Sequence, residues 1–230
     1  DVLLNGVFRK NRLIDKISNF ILFQNKEEGR IKILAGYHQY FAVEKSIKST
    51  LKAIEEHSGK AGVVWHTQGS GKSFAMVFYT GKMLKIPNLN NPTIVVLTDR
   101  NDLDNQLYNT FANTNREILP QEATQALNRK NLKELLKVNA GGIIFTTIQK
   151  FEEGEDVISE RDNIIFIVDE AHRSQYSLEK KLNRKTGEFQ VGYAKKMRDS
   201  LPNATFIAFT GTPIEYADKN TRILFGDYID

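Results

Sequence analysis

Five short, largely apolar runs constrain the fold of this chain more than any other feature of its sequence. Each run is rich in β-branched or aromatic residues and is bounded by Gly, Pro, Asn or Asp. A strand that is apolar on both faces is typical of a parallel sheet covered by helices, so we also expect Trp65 to lie in the core. The predicted strands are 62–65, 93–97, 142–146, 164–168 and 205–209.

The segments between these runs suit helices. Strands that alternate with helices indicate an α/β domain with a mostly parallel, doubly wound sheet. We assign residues 36–230 to this domain. The predicted helices are 40–56, 73–85, 103–111, 131–138 and 192–200.

The first 35 residues follow a different pattern. Apolar residues between positions 7 and 23 recur at roughly helical spacing, with basic residues between them. We predict one amphipathic helix whose apolar stripe packs against the protein, followed by a polar turn at 25–30. We interpret residues 1–35 as a helical extension of the domain, and, because the chain begins at Asp1 without an initiator Met, we expect it to be a piece of a longer protein.

The composition narrows the class of protein. The chain has no Cys, which excludes a disulfide framework and a thiolate metal site. No apolar run approaches the roughly 20 residues that span a bilayer, and no signal-peptide pattern is present. We therefore expect a cytoplasmic protein without membrane contacts. The net charge of +4 permits contact with nucleic acid phosphates but does not require it.

Residues 66–73 (HTQGSGKS) follow a predicted strand and open a predicted helix, which is the context of a phosphate-binding loop. Glycines let successive N–H groups point at phosphate oxygens, and the helix N-terminus favours an anion. Lys72 would reach the β- and γ-phosphates of ATP, and the Ser73 hydroxyl would bind Mg²⁺. His66 replaces the first Gly of the usual pattern. The expected nucleotide contacts come from Gln68, Gly69, Ser70, Gly71, Lys72 and Ser73.

A second motif, DEAH at 169–172, ends the predicted strand 164–168. Two carboxylates at the carboxyl edge of a parallel sheet lie where ligands bind in α/β domains. Asp169 would hold Mg²⁺, and Glu170 would orient and deprotonate the water that attacks the γ-phosphate. A solvated strand end or a ligand-free glycine turn would account for either motif alone. Their combination indicates an ATPase site with Lys72, Asp169 and Glu170 as its catalytic residues.

These motifs resemble those of superfamily 2 helicases, and further motifs follow in the expected order. The resemblance implies a RecA-like lobe in which Gln39, within YHQYFAV at 37–43, recognises adenine. It implies nucleic acid contacts at the ends of two strands, through Thr98, Arg100 and Thr147. The TGTP motif at 210–213 implies that Thr210 and Thr212 couple the state of the bound ATP to the hold on the nucleic acid strand. His172 would join this coupling or simply form a hydrogen bond near Thr210.

Longer strings resemble the restriction subunit of type I restriction–modification enzymes. They are YHQYFAV at 37–43, VWHTQGSGKS at 64–73, TDRNDLD at 98–104, DEAHRSQY at 169–176 and LPNATFIAFTGTP at 201–213. The resemblance implies that the whole protein translocates double-stranded DNA with ATP and cuts it, working with modification and specificity subunits. It also implies that residues 1–35 link this domain to an upstream nuclease domain. We see no nuclease core and no second RecA-like lobe in this chain. We therefore expect it to hold half of the ATPase site.

Two alternative functions stay open at the level of the sequence. The chain would suit a lobe of another superfamily 2 DNA or RNA helicase, or a regulatory module that binds nucleotide without hydrolysing it. A basic stretch between the DEAH and TGTP motifs would contact DNA phosphates or form a solvated surface. Its members are Lys180, Lys181, Arg184, Lys185, Lys195, Lys196 and Arg198.

Overall fold

A computed structural model of the chain describes residues 8–26, 29–67, 69–98, 106–151, 156–169, 181–182, 189–190, 193–211 and 218–229. Ten strands, seven α-helices and two short 3₁₀ helices, Pro87–Leu89 and Ile148–Phe151, are defined in these ranges. The helices are α1 (Lys10–Asn19), α2 (Tyr37–Glu55), α3 (Lys72–Leu84), α4 (Gln106–Ala112), α5 (Arg129–Leu135), α6 (Tyr193–Ser200) and α7 (Asp218–Phe225). The strands are β1 (Ile21–Lys26), β2 (Gly29–Leu34), β3 (Lys60–Trp65), β4 (Thr93–Thr98), β5 (Ala123–Gln125), β6 (Ile143–Thr147), β7 (Ile164–Asp169), β8 (Lys181–Leu182), β9 (Phe189–Gln190) and β10 (Thr205–Thr210).

The centre of the protein is a six-stranded sheet in which every pair of neighbours is parallel. Its strand order is β3-β10-β7-β4-β6-β5. All five strands predicted from apolar runs belong to it, and the short edge strand β5 was not predicted. Two antiparallel pairs, β1-β2 and β8-β9, lie outside it. The predicted α/β architecture with a parallel sheet is confirmed.

Each face of the sheet is covered by its own set of helices. On β7, Ile165 and Ile167 join a core with α2, α3 and α4, while Phe166 and Val168 join a second core with α5, α6 and α7. These four side chains are 0–1% exposed. The strand is therefore apolar at every position because both of its faces are buried.

The N-terminal extension differs from its prediction. The helix that we expected over 7–23 ends at Asn19, and the next residues form β1 of an antiparallel hairpin. Phe20, just before this strand, and Leu22 and Gln24 within it are buried, while the residues between them are only half-buried. This alternation with period two suits a strand with one buried face, and it prevails over the approximate helical spacing.

The extension packs against the α2 and α3 face of the domain. The ring of Phe20 lies 4.7 Å from that of Tyr40 and 5.5 Å from that of Phe78. Lys82 on α3 donates to Asp15 at 2.8 Å and to Glu44 at 2.5 Å, which joins α1 to α2 and α3. Phe20 and Leu22 thus join the core of the domain. The predicted packing of the whole apolar stripe is wrong, because Phe8, Ile14 and Ile17 are 49–59% exposed. The role of residues 1–35 as a link to an upstream domain stays a prediction.

Trp65 does not lie in the core. It is 50% exposed, although Val63 and Val64 before it are buried. Trp65 is the last residue of β3, and β3 is an edge strand whose outer side pairs with residues 227–229 only around Val63. The edge position leaves the end of the strand without cover, which an apolar run in a sequence does not reveal.

Within the described residues, none of the helices is both long and apolar enough to span a bilayer.

Candidate functional site

The two predicted ATPase motifs meet at one edge of the sheet. Strand β10 lies between β3, which precedes the phosphate loop, and β7, which ends in Asp169. In the parallel register Thr210 pairs with Trp65, and Phe209 pairs with Asp169. The three strands therefore end side by side, and the loop after β3 and the carboxylate of Asp169 face the same space.

The phosphate loop bends at two glycines. Gly69 and Gly71 have φ angles of +80° and +81°, in the region that other residues rarely adopt. A Cβ at Gly71 would lie 2.4 Å from the Nε2 atom of Gln39, so a side chain there would collide with α2. Helix α3 begins at Lys72 directly after this bend, so the positive end of its dipole adjoins the loop. Gln68 lies outside the described residues.

Lys72 and Asp169 form an ion pair across the site. The Nζ atom of Lys72 lies 2.8 Å from Oδ1 of Asp169, and the side chains are 14% and 17% exposed. Desolvating both charges is costly unless the pair compensates for it. The half-buried Ser73 follows Lys72 in the first turn of α3. Glu170 and His172 lie outside the described residues.

Gln39 is buried and its amide is engaged with the loop. Its Oε1 accepts from the N–H of Gly36 at 2.7 Å. Its Nε2 donates to the carbonyl oxygens of Ser70 at 3.3 Å and Gly71 at 2.9 Å. Gln39 therefore lies beside the phosphate loop, and its predicted contact with adenine stays a prediction.

His66, at the position of the missing glycine, is a structural part of the loop. It is 5% exposed, and its backbone N–H donates to the carbonyl oxygen of Thr210 at 2.9 Å. Its ring atom Nδ1 lies 3.0 Å from Oγ of Ser70. Within the described part of the chain its Nε2 has no hydrogen-bond partner. Burial lowers the pKa of His66, and the nearby His38 and Lys72 lower it further.

Two of the three predicted nucleic acid contacts, Thr98 and Thr147, lie on the same edge, beyond Asp169. Strand β4 is the neighbour of β7, and Thr98 at its end pairs with Thr147 at the end of β6. Both threonines are half-buried. The fully buried Thr210 ends β10 between the two ATPase motifs. Arg100 and Thr212 lie outside the described residues.

The basic stretch divides into different environments. Lys195 is exposed, but Arg198 points inward, where its guanidinium donates to the carbonyls of Gly59 and Leu224 and stacks 4.1 Å from the ring centre of Phe206. Burial lowers the pKa of Arg198 to about 10. Arg198 thus stabilises the fold and does not face DNA. Residues 180, 184 and 185 lie outside the described ranges.

Sequence reasoning missed the contacts of two histidines with the loop. The Nε2 atom of His38, at the start of α2, lies 2.9 Å from the carbonyl oxygen of Ser70. The rings of His38 and His66 are 5.5 Å apart. Histidine in place of the first loop glycine was the one signal in the sequence, but only the fold shows which atoms it meets.

Comparisons with known proteins show what the chain is similar to. A family model described as SWI2/SNF2 ATPase matches residues 38–230. The chain is 50% identical over 235 residues to the type I restriction enzyme HindI endonuclease subunit of Haemophilus influenzae. The matched region covers 99% of this chain and 22% of that protein. It is 42% identical over 238 residues to the putative type I restriction enzyme MjaIXP endonuclease subunit of Methanocaldococcus jannaschii, covering 100% of this chain and 20% of that protein.

A solved structure shows the same fold at low identity. The UvsW helicase from Bacteriophage T4 matches with a TM-score of 0.59 and 12% identity, over 95% of this chain and 66% of that one. The predicted RecA-like fold and the resemblance to type I restriction subunits are thus confirmed. The chain spans about a fifth of the length of the curated relatives that it matches. Since the family model covers most of the chain, this protein belongs to the SWI2/SNF2 ATPase family.

Proposed function

We propose that this chain is the ATP-binding lobe of an ATP-dependent DNA translocase and endonuclease subunit of a type I restriction–modification complex. Its similarity to two type I restriction endonuclease subunits over nearly its whole length supports this proposal. Residues 36–230 would be the first RecA-like lobe, and residues 1–35 would link it to an upstream nuclease domain.

The ion pair between Lys72 and Asp169 carries the proposal. Its two charges lie at the mouth of a loop whose glycines have positive φ and whose helix starts at Lys72. An ammonium group that can move from a carboxylate to phosphate oxygens, and a carboxylate that can then accept a metal ion, fit ATP with Mg²⁺. Ser73 and Asp169 supply the hard oxygen ligands that Mg²⁺ prefers. Mg²⁺, when bound, neutralises charge on the β- and γ-phosphate oxygens.

The chain's own residues divide the work of hydrolysis. The backbone N–H groups of 68–73 would hold the phosphates, and Lys72 would stabilise the charge that develops on the γ-phosphate. Glu170 would take the proton of the attacking water. Gln39 would release the loop carbonyls to recognise adenine. A second RecA-like lobe would supply arginine side chains to the other half of the site.

Double-stranded DNA would pass along the end of the sheet beyond Asp169. Thr98, Arg100 and Thr147 would contact its backbone there. Thr210 lies between the two ATPase motifs, which suits a role with His172 and Thr212 in coupling ATP state to DNA grip. The chain would work with modification and specificity subunits, of which the specificity subunit would choose the DNA site, and the complex would act in the cytoplasm.

Hydrolysis by the full-length protein tests the proposal. Lys72→Ala and Glu170→Gln should each lower DNA-stimulated ATP turnover by roughly 100-fold or more, because each removes a group that acts in the transition state. Glu170→Gln should still bind ATP, whereas Lys72→Ala should bind it weakly. His57→Asn, at an exposed position at the far end of α2, is the matched control and should be unaffected.

The readout of the whole complex completes the test. With modification and specificity subunits, the wild type should cleave plasmid DNA only with ATP, and both site variants should not. Unchanged ATP turnover in Glu170→Gln would contradict hydrolysis at this site and favour a regulatory module.

A further inference from the structure

Ser70, in the middle of the phosphate loop, is held at two of its atoms by two histidines from different elements. His38, at the start of α2, lies with Nε2 2.9 Å from the backbone carbonyl oxygen of Ser70. His66, after β3, lies with Nδ1 3.0 Å from the hydroxyl Oγ of Ser70. Nothing in the phosphate-loop pattern requires either histidine.

The chemistry of the partners fixes where both rings carry their protons. The Ser70 hydroxyl donates its only hydrogen to the carbonyl of Thr67 at 2.6 Å, so it can only accept from His66. A backbone carbonyl has no hydrogen to donate, so Nε2 of His38 must be the donor to Ser70. His66 is therefore protonated on Nδ1 and His38 on Nε2, and both act as hydrogen-bond donors to the loop.

These contacts determine the direction of a backbone N–H group. The peptide unit between Ser70 and Gly71 is planar and trans, so its C=O and N–H groups point in opposite directions. Holding the carbonyl of Ser70 against α2 therefore turns the N–H of Gly71 away from α2. Gln39, which donates to the same carbonyl at 3.3 Å, acts in the same direction.

We propose that His38 and His66 are positioning residues of the phosphate loop, which preorganise Ser70 and Gly71 to receive the phosphates of a nucleotide. His38 fixes the peptide plane, and His66 fixes the side chain whose hydroxyl closes the turn with Thr67. This inference rests on the proposed binding of ATP and assigns a role to a residue of α2 and to the residue that replaces the first glycine of the loop.

The surroundings of His66 favour a neutral ring. His66 is 5% exposed and has His38 on α2 and Lys72 on α3 as its charged or titratable neighbours. A second proton on Nε2 would place a buried positive charge close to Lys72 without a hydrogen-bond partner among the described residues. Acidification should therefore disturb the loop before it disturbs the rest of the domain.

Two pairs of variants in the full-length protein test the proposal, with the dissociation constant of a fluorescent ATP analogue in Mg²⁺ as the readout. His38→Leu removes the donor, while His38→Gln places an amide N–H near the position of Nε2. His66→Gly removes the donor and restores the usual glycine, while His66→Asn places an amide N–H near the position of Nδ1. Losing one of these hydrogen bonds should weaken binding by roughly three- to tenfold, and each amide variant should restore most of it. His57→Asn serves as the control.

The pH dependence separates positioning from a general structural role. Protonation of the ATP analogue is common to both proteins, so the affinity of the wild type should fall more steeply than that of His66→Asn as the pH drops below the ordinary histidine range. His38 is exposed, so the His38 variants fold even if the His66 variants do not, and they then decide the question.

Each result has a distinct meaning. If the wild type binds no ATP, the proposed function fails and this inference fails with it. If the wild type binds ATP and His38→Leu binds as tightly as His38→Gln, the proposed function stands and the positioning role is wrong.

Discussion

Alanine at the two loop glycines gives a matched test of how the loop meets α2. Both residues have φ near +80°, so an alanine at either position costs about 1–2 kcal/mol from the left-handed conformation. A Cβ at Gly69 has no heavy atom within 4 Å, whereas a Cβ at Gly71 would lie 2.4 Å from Nε2 of Gln39. Gly71→Ala must therefore also displace Gln39.

The displacement sets the expected difference between the two variants. Gln39 would lose its hydrogen bonds to the carbonyls of Ser70 and Gly71, each with a net contribution of about 0.5–1.5 kcal/mol. We expect Gly69→Ala to lower the free energy of unfolding by about 1–2 kcal/mol and Gly71→Ala by about 2–5 kcal/mol.

Urea unfolding, followed by the fluorescence of Trp65, measures these differences, since Trp65 is the only Trp of the chain. The double variant Gln39→Ala, Gly71→Ala removes the atoms that collide. It should cost no more than the sum of the left-handed strain and the lost Gln39 bonds. Equal losses for Gly69→Ala and Gly71→Ala would refute the collision with Gln39.

Three further perturbations test other parts of the structure. Burial keeps the pKa of His66 below its ordinary value of 6.5, so the unfolded chain binds a proton at a higher pH than the folded protein does. The free energy of unfolding should therefore fall as the pH drops below about 6.5. Urea unfolding of His66→Asn should lack this contribution. Gly81→Ala would place a Cβ 2.6 Å from the carbonyl oxygen of Ile118. The cost of overpacking, about 1–3 kcal/mol, should exceed the gain in helix propensity of about 1 kcal/mol. The melting temperature should therefore fall. Arg198→Ala should lower the free energy of unfolding by about 2–4 kcal/mol, because it removes the hydrogen bonds to two carbonyl oxygens. Lys195→Ala on the same helix should lower it by less than about 0.5 kcal/mol in a urea titration. Equal losses would contradict the inward orientation of Arg198.

The central sheet could be predicted because its strands are buried on both faces. A short, continuous apolar run such as 164–168 is typical of a strand covered by helices on both sides, and the polar residues that follow each run mark the carboxyl edge. The approach of Lys72 to Asp169 follows from that edge alone, since parallel strands bring their ends together. This part of the site needed no knowledge of side-chain packing.

The remaining features depend on contacts between residues that are distant in sequence. Phe20 and Leu22 fit either a helix or a strand, and their position against α2 and α3 selects the strand. Trp65 is apolar like its neighbours, and only the edge position of β3 exposes it. The hydrogen bond from His38 to the carbonyl oxygen of Ser70 joins residues that are 32 positions apart in the sequence. No local pattern encodes these pairings.

A structure of the full-length protein with a non-hydrolysable ATP analogue and Mg²⁺ tests the central claim most directly. We expect the triphosphate to lie between the loop at 69–73 and Asp169, with Nζ of Lys72 within hydrogen-bond distance of its β- or γ-phosphate oxygens and no longer on Asp169. Asp169 should then face the metal ion. A nucleotide bound elsewhere, with the 2.8 Å pair of Lys72 and Asp169 intact, would contradict the proposed site.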